Sequence, residues 1–293
     1  MIQPPKQQIA PVYHRRIGDI VVTALSDGTL TRPIEMMHNV PRSLGQAYFD
    51  DVFRPGPVIS VNAFLIYSAG KMALIETGSG HYLGDTTGFL LQSLKAAGVA
   101  PEDIKTVLIT HMHPDHSAGL VDMTTGRQNY PNAELIMHEN EPKHWFDDAA
   151  MARGTDREKA LFFKAGREQV EPYRDRWKLF SRESEVFPGV TAIPAMGHTP
   201  GHSAYLVQSG GERLLIWGDT VHIPEVQVPR PEVTMTVDTD HEAAAASRKR
   251  IFDMCVTERL LVTGMHLHFP GFGRLARRGS TYEYVPEVWK QTF

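Results

Sequence analysis

Between Thr110 and His116 the chain reads Thr-His-Met-His-Pro-Asp-His. Three imidazoles and a carboxylate, those of His111, His113, Asp115 and His116, fall within six residues. Burying that many polar groups without partners costs roughly 1–3 kcal/mol each, and a metal ion satisfies all of them at once. The run before them, Lys105 to Thr110, is apolar and β-branched, the composition of a buried strand. Residues two apart on an extended backbone face the same way, so His111 and His113 can reach one point. Pro114 has no N–H to donate and ends the pairing. Asp115 and His116 then arrive from another direction.

Three more polar residues stand where other strand-like runs stop: His202 in Gly197-His198-Thr199-Pro200-Gly201-His202-Ser203, Asp219 after Arg213–Trp217, and His266 after Leu260–Thr263. Seven ligands exceed the three that one catalytic zinc takes. They suit two ions, with the carboxylate of Asp219 as the natural bridge. Cys255 is the single cysteine, which excludes an internal disulfide and leaves metal binding to histidine and carboxylate. That donor set suits zinc, iron or manganese rather than copper(I).

The elements that must position these residues are legible as alternating strands and helices. Residues 1–16 read as an irregular arm and Ile17 to Leu25 as a strand. Ser26-Asp27-Gly28-Thr29 reads as a turn, and Leu30 to Phe53 as a loop-rich stretch with Met36, Met37, Tyr48 and Phe49 packing it onto a sheet. Val58–Tyr67 and Lys71–Glu76 read as a hairpin. Asp85 is expected to cap a helix running to Ala97, with Phe89, Leu90, Leu91 and Leu94 on its apolar face and Gly98 as its stop. A helix is expected to start in residues 117–121, followed by a short strand, Ala133–His138, and a charge-rich helical stretch, 139–180. Val190–Ala195 reads as a strand, Ala204–Gln208 and Arg213–Trp217 as a second hairpin, and Asp240 as the cap of an alanine-rich helix. Two strand–hairpin–helix halves suggest a pseudo-duplicated α/β fold in one domain spanning 1–293, with 1–57 as arm and flap and 139–180 as a helical insertion.

Taken in order from Glu76-Thr77-Gly78 through His-x-His-x-Asp-His to His266, these motifs resemble the metallo-β-lactamase superfamily. The resemblance covers about two-thirds of the chain. It implies an αββα sandwich, two mixed sheets packed face to face with helices outside. It implies two divalent ions, zinc first, with manganese, cobalt or iron as alternatives. His111, His113 and His202 would hold one ion, Asp115, His116 and His266 the other, and Asp219 would bridge. Glu76 stands where the superfamily usually has Asp, in a supporting position near the metals. His198 is expected to play a supporting part, and His268 is the alternative to His266.

Ser26–Thr29, Val61-Asn62-Ala63, Gly218-Asp219-Thr220-Val221-His222 and His266-Leu267-His268-Phe269-Pro270-Gly271 resemble the methyl parathion hydrolase branch, which includes organophosphate hydrolases and quorum-quenching lactonases. The branch implies a homodimer and a metal-activated hydroxide acting on lactones or esters, with phosphotriesters as a side activity. The alternatives are a β-lactamase or a glyoxalase-type thioester hydrolase. Asp115 is then the expected proton carrier and His222 a pocket residue. Ser117 and Ser203 are expected to cap backbone, not to attack substrate.

Composition bounds the partners. The 293 residues carry 34 acidic and 30 basic side chains, well mixed, for a net charge of −4. No basic stripe is present, which argues against nucleic acid and leaves a small-molecule substrate. No apolar run approaches the length of a membrane span. The N-terminal residues lack the apolar stretch of a secretory leader, so a cytoplasmic location is expected.

Overall fold

The computed structural model describes residues 3–5 and 8–293. In chain order its strands are β1 (Val12–Ile17), β2 (Ile20–Thr31), β3 (Val58–Ser68), β4 (Lys71–Ile75), β5 (Thr106–Leu108), β6 (Val121–Asp122), β7 (Arg127–Gln128), β8 (Glu134–His138) and β9 (Trp177–Phe180). There follow β10 (Ser184–Phe187), β11 (Val190–Pro194), β12 (Ser203–Ser209), β13 (Glu212–Ile216), β14 (Leu261–Thr263), β15 (Gly273–Arg278) and β16 (Thr281–Pro286). One sheet runs β1-β2-β3-β4-β5-β8-β9 and the other β10-β11-β12-β13-β14-β15-β16, while β6 and β7 pair with each other. Both large sheets are mixed. β4–β5, β5–β8, β8–β9 and β13–β14 are parallel, and the hairpins are antiparallel.

Strand β3 shows why its sequence is apolar almost throughout. Phe64 and Ile66 enter a cluster that also takes Val207, Leu214 and Ile216 from the other sheet. Their neighbours Ala63 and Leu65 face outward onto Leu90 and Leu94 of the helix Leu90–Ala96. A strand covered on both faces needs no polar alternation. The second sheet is covered by Ile251, Phe252 and Cys255 of the helix His241–Thr257. Helix, sheet, sheet, helix is the layering that the resemblance implied. No described helix is long and apolar enough to cross a membrane.

Several expectations are corrected. Within the 1–16 arm, residues 1, 2, 6 and 7 lie outside the described residues, but Val12–Ile17 is an edge strand. Ser26–Thr29 is no turn: β2 continues through it with a bulge between Ser26 and Gly28, and the Asp27 carboxylate accepts from the backbone N–H groups of Ser79, Gly88 and Leu90. The loop-rich stretch contains a helix, Arg42–Asp50. The helix ending at Ala96 starts only at Leu90, without Asp85 as cap, and Phe89 and Leu91 stay partly exposed. Pro114–Ser117, not 117–121, forms the short helix of the histidine loop. The 139–180 stretch is helical in broken pieces and ends in strand β9. The cap at Asp240 is as expected, its side chain accepting from Ala243 N.

Candidate metal centre

The histidine loop leaves the carboxyl end of β5, Asp219 that of β13 and His266 that of β14. All three sit beside parallel pairings, where open α/β sheets place their ligands. Pro114 starts a one-turn helix that turns Asp115 and His116 inward. His111, His113, His116, Asp219, His222 and His266 are all at most 3% exposed.

Their ring nitrogens and carboxylate oxygens form four overlapping groups, each with ligand atoms within 4.8 Å of one another: His111–His113–His198, His111–His116–Asp219, Asp115–His116–His266 and His198–Asp219–His222. Asp219 is the hub. Its oxygens lie 3.2 Å from His116 Nε2, 3.3 Å from His198 Nε2 and from His266 Nε2, 3.0 Å from His222 Nε2 and 3.7 Å from His111 Nε2. Burial disfavours the Asp219 carboxylate, but His116, His266 and His222 outweigh it and hold its pKa well below the usual range.

The sequence reading is corrected at His202. Its Nδ1 donates to Ala195 O at 2.9 Å, and its Nε2 accepts from Asp219 N at 2.8 Å. Both nitrogens are used, and burial followed by the nearby His198 presses its pKa to about 3, so the ring stays neutral. His202 therefore offers no free atom to the cluster; it shapes the Asp219 turn. Gly218, at φ +57°, permits that approach, since a Cβ there would lie 2.4 Å from His202 Nε2. His198 takes its place. Its Nε2 lies 3.1 Å from His111 Nε2 and 3.0 Å from His113 Nδ1, while Nδ1 is held by Asp238 Oδ1 at 2.7 Å. Burial opposes its charge, but Asp219 and Asp238 overcome this and lift its pKa to about 9. His268 is not a ligand candidate either: its Nε2 pairs with Glu225 Oε1 at 2.7 Å.

A second layer orients the cluster. Thr110 Oγ1 sits 2.9 Å from His111 Nδ1, and Ser60 O takes His266 Nδ1 at 2.8 Å. Glu76 Oε1 accepts from Thr110 N at 2.9 Å, and its Oε2 lies 3.5 Å from His116 Nδ1. Such outer partners fix tautomer and ring direction in metal sites. Ser117 and Ser203 point their hydroxyls at backbone carbonyls, as expected.

Sequence reasoning missed three residues. Asp238 lies 40 positions beyond the histidine it orients. Arg248, fully buried in the last long helix, donates to the carbonyls of Thr220, Pro231 and Val233 and ties that helix to the segment carrying His222. Glu141 accepts from Met112 N, between His111 and His113, and from Gly201 N and Thr199 Oγ1, between His198 and His202. Trp145 Nε1 is its fourth donor, at 2.8 Å. One buried carboxylate thus clamps two ligand loops together. Asp238 had a faint signal, a carboxylate two residues before the Asp240 cap; Glu141 and Arg248 had none.

The donors fit a metal. His113 Nε2, both nitrogens of His116 and of His222, and Asp219 Oδ1 are buried without a hydrogen-bond partner, a density of orphans that calls for an ion. Two ligands at about 2.0–2.1 Å from a tetrahedral zinc stand roughly 3.4 Å apart, close to the spacings around Asp219. Above the cluster, Arg32, Met36, Ile59, Leu161, Phe162 and Val237 line a small pocket, with Phe162 stacked on His113 at 4.3 Å. Phe162 lies in the π-helical turn Lys159–Lys164, a bulged geometry common beside functional sites.

The sequence and the fold match known proteins. Residues 56–279 match the metallo-beta-lactamase superfamily, and the chain belongs to that superfamily. It is similar to the solved structure of the hydrolase AbOPH in the beta lactamase superfamily, at a TM-score of 0.90 and 30% identity, covering 97% of this chain and 100% of that one. It is similar to AidC, a dizinc quorum-quenching lactonase, at 0.89 and 25% identity over the same shares. Among curated proteins it is 25% identical to an N-acyl homoserine lactonase of Bacillus cereus over 58% of each chain. It is 26% identical to an atrochrysone carboxyl ACP thioesterase of Passalora fulva over 55% of this chain and 38% of that one. The match thus spans less than two-thirds of these curated proteins.

Proposed function

We propose that the protein is a metal-dependent hydrolase that opens lactones or cleaves esters, with phosphotriesters as a side activity. The observation that carries this reading is the ring of buried, partnerless nitrogens and oxygens centred on Asp219. In this reading His111, His113, His198 and Asp219 hold one divalent ion, and Asp115, His116, His266 and Asp219 hold a second, with zinc best suited to the donors. When bound, such ions polarise an acyl oxygen and bring the pKa of water toward neutrality. The likeness to two lactonases supports lactones as the first substrate class. A homodimer, implied by the sequence resemblance, belongs to the same proposal.

The chain's own residues supply the rest. Met36, Ile59, Leu161 and Phe162 hold the apolar part of the substrate and keep bulk water out. Asp115, with 14% of its side chain exposed against 2% for Asp219, is the more open of the two cluster carboxylates that line the pocket. Burial opposes its ionisation, but His116 and His266 keep its pKa below the usual range, so it is held in the ionised form. As the oxygen of water bonds to the acyl carbon and the ring C–O bond breaks, Asp115 carries the water's proton to the departing alkoxide. The product is the hydroxy acid. His222, on the same wall and 3.0 Å from Asp219 Oδ2, is positioned to hydrogen-bond the leaving oxygen.

The test is a panel of lactones, aryl esters, phosphotriesters, thioesters and β-lactams, assayed before and after exhaustive chelation. Lactone turnover is expected to vanish with the metal and to return with zinc, cobalt or manganese. Full turnover in thoroughly metal-free protein would refute the reading. Turnover confined to β-lactams or thioesters would move the substrate class.

A further inference from the structure

The pocket over the cluster carries a charge pattern that hydrolysis of a neutral lactone does not require. Arg32 and Arg157 both line it, Arg32 from the segment that leaves β2 and Arg157 from the helical turn Asp156–Glu158. The carboxylates on the same wall are Asp115 and Asp219, and both are engaged by the imidazoles of the cluster. Every ion-paired arginine among the described residues lies elsewhere in the chain. Arg32 Nε is buried and has no hydrogen-bond acceptor. Besides the cluster's own imidazoles and carboxylates, the wall around the two cations is made of apolar side chains such as Met36, Ile59, Leu161 and Phe162, whose low polarity strengthens a charge contact made beside them.

Asp115 does not draw on Arg32 for an ion pair: its carboxylate lies 3.7 Å from His116 Nε2 and 3.6 Å from His266 Nε2, and no arginine pairs with it among the described residues. A guanidinium offers N–H donors in a rigid fork that matches two oxygens of a carboxylate or phosphate. Two of them beside one reaction centre, one with an unused buried donor, make an anion subsite.

We propose that Arg32 and Arg157 bind an anionic oxygen group of the substrate, a carboxylate or a phosphate carried on the same molecule as the scissile ester. The placement of the scissile bond rests on the hydrolytic reading above; the anion subsite itself is testable without it. Substrates with a charged group on the ring or acyl chain would then be preferred over neutral ones of the same shape.

Two measurements separate the claims. The first compares a γ-butyrolactone bearing a ring carboxylate with its carboxamide, which has the same shape without the charge. Wild-type kcat/KM is expected to favour the acid by about tenfold or more, the size of one charge-assisted hydrogen bond. The ratio is expected to fall toward one in Arg32→Gln, to fall partway in Arg157→Gln, and to shrink with added salt. Arg157 is exposed, so its replacement spares the fold if Arg32→Gln does not. The second measures calorimetric binding of cyclopentanecarboxylate, cyclopentyl phosphate and cyclopentanecarboxamide, none of which has a bond for the enzyme to cleave as an ester of a carboxylic acid. The tighter anion identifies the group, and its binding is expected to weaken about tenfold in Arg32→Gln while the amide's does not change. A wild-type acid-to-amide ratio near one, or anion binding indifferent to both substitutions, overturns the subsite and leaves the hydrolytic reading intact. Arginine-dependent anion binding with no lactone turnover upholds the subsite and removes the hydrolytic reading.

Discussion

Asp219→Ala is expected to lower kcat/KM by more than about 100-fold on every substrate the protein turns over, and to strip the protein of metal. Loss of an outer partner of a metal ligand already costs about 10–100-fold, and Asp219 is the hub, not an outer partner. Its two oxygens are shared among His111, His116, His198, His222 and His266. Removing them leaves five imidazoles facing one another with Asp115, 3.7 Å from His116 Nε2 and 3.6 Å from His266 Nε2, as the remaining carboxylate of the cluster. Cations in such a cage repel, and neutral rings lose the carboxylate that brings the two halves of the cluster together. Asp219→Asn keeps the shape but not the charge and is expected to fall in between. Near-wild-type turnover in Asp219→Ala, with metal retained, would show that Asp219 is only a neighbour of the chemistry.

Glu141→Ala is expected to be the most damaging change to stability outside the ligands themselves. It leaves Met112 N, Gly201 N, Thr199 Oγ1 and Trp145 Nε1 without an acceptor in a fully buried place. Each orphan costs roughly 1–3 kcal/mol, and although the losses do not simply add, a total of at least about 3 kcal/mol follows. At about 2–4 °C per kcal/mol for a chain of this size class, the melting temperature should drop by about 6–12 °C or more. Glu141→Gln keeps one acceptor oxygen and should lose less. Because the clamp joins the loops of His111, His113 and His198, chelator competition should also report weaker metal binding in both variants. A melting temperature and metal affinity both unchanged in Glu141→Ala would mean that the two loops hold their positions without it.

What could be read from the chain alone was whatever depended on local periodicity and on strand ends. The hairpin Val58–Ser68/Lys71–Ile75 and the Asp240 cap announce themselves within a dozen residues. His111, His113, Asp115 and His116 do so within six. What depended on distant partners was not legible. His198 and His202 are both histidines beside a glycine, four apart, and nothing nearby tells them apart. Their roles are decided by Asp238, far along the chain, and by Ala195 O across the start of β12. Glu141 looks like any acid in the first turn of a helix, since its partners lie 29 and 60 positions away. Ser26-Asp27-Gly28-Thr29 has turn composition because a bulge also needs a glycine, and because Asp27 turns inward to gather three N–H groups. The edge strand Val12–Ile17 carries His14, Arg15 and Arg16, polar residues that a half-buried sheet edge tolerates.

The cluster around Asp219 is most directly tested by counting metal. Wild-type protein purified without chelator and analysed by atomic emission is expected to hold about two divalent ions per chain. His198→Ala should lose about one of them, whereas His202→Gln, which can still accept from Asp219 N and donate to Ala195 O, should keep both. Full metal content in the His198 variant, or loss confined to the His202 variant, would contradict the geometry described for the two histidines and the ligand set built on it.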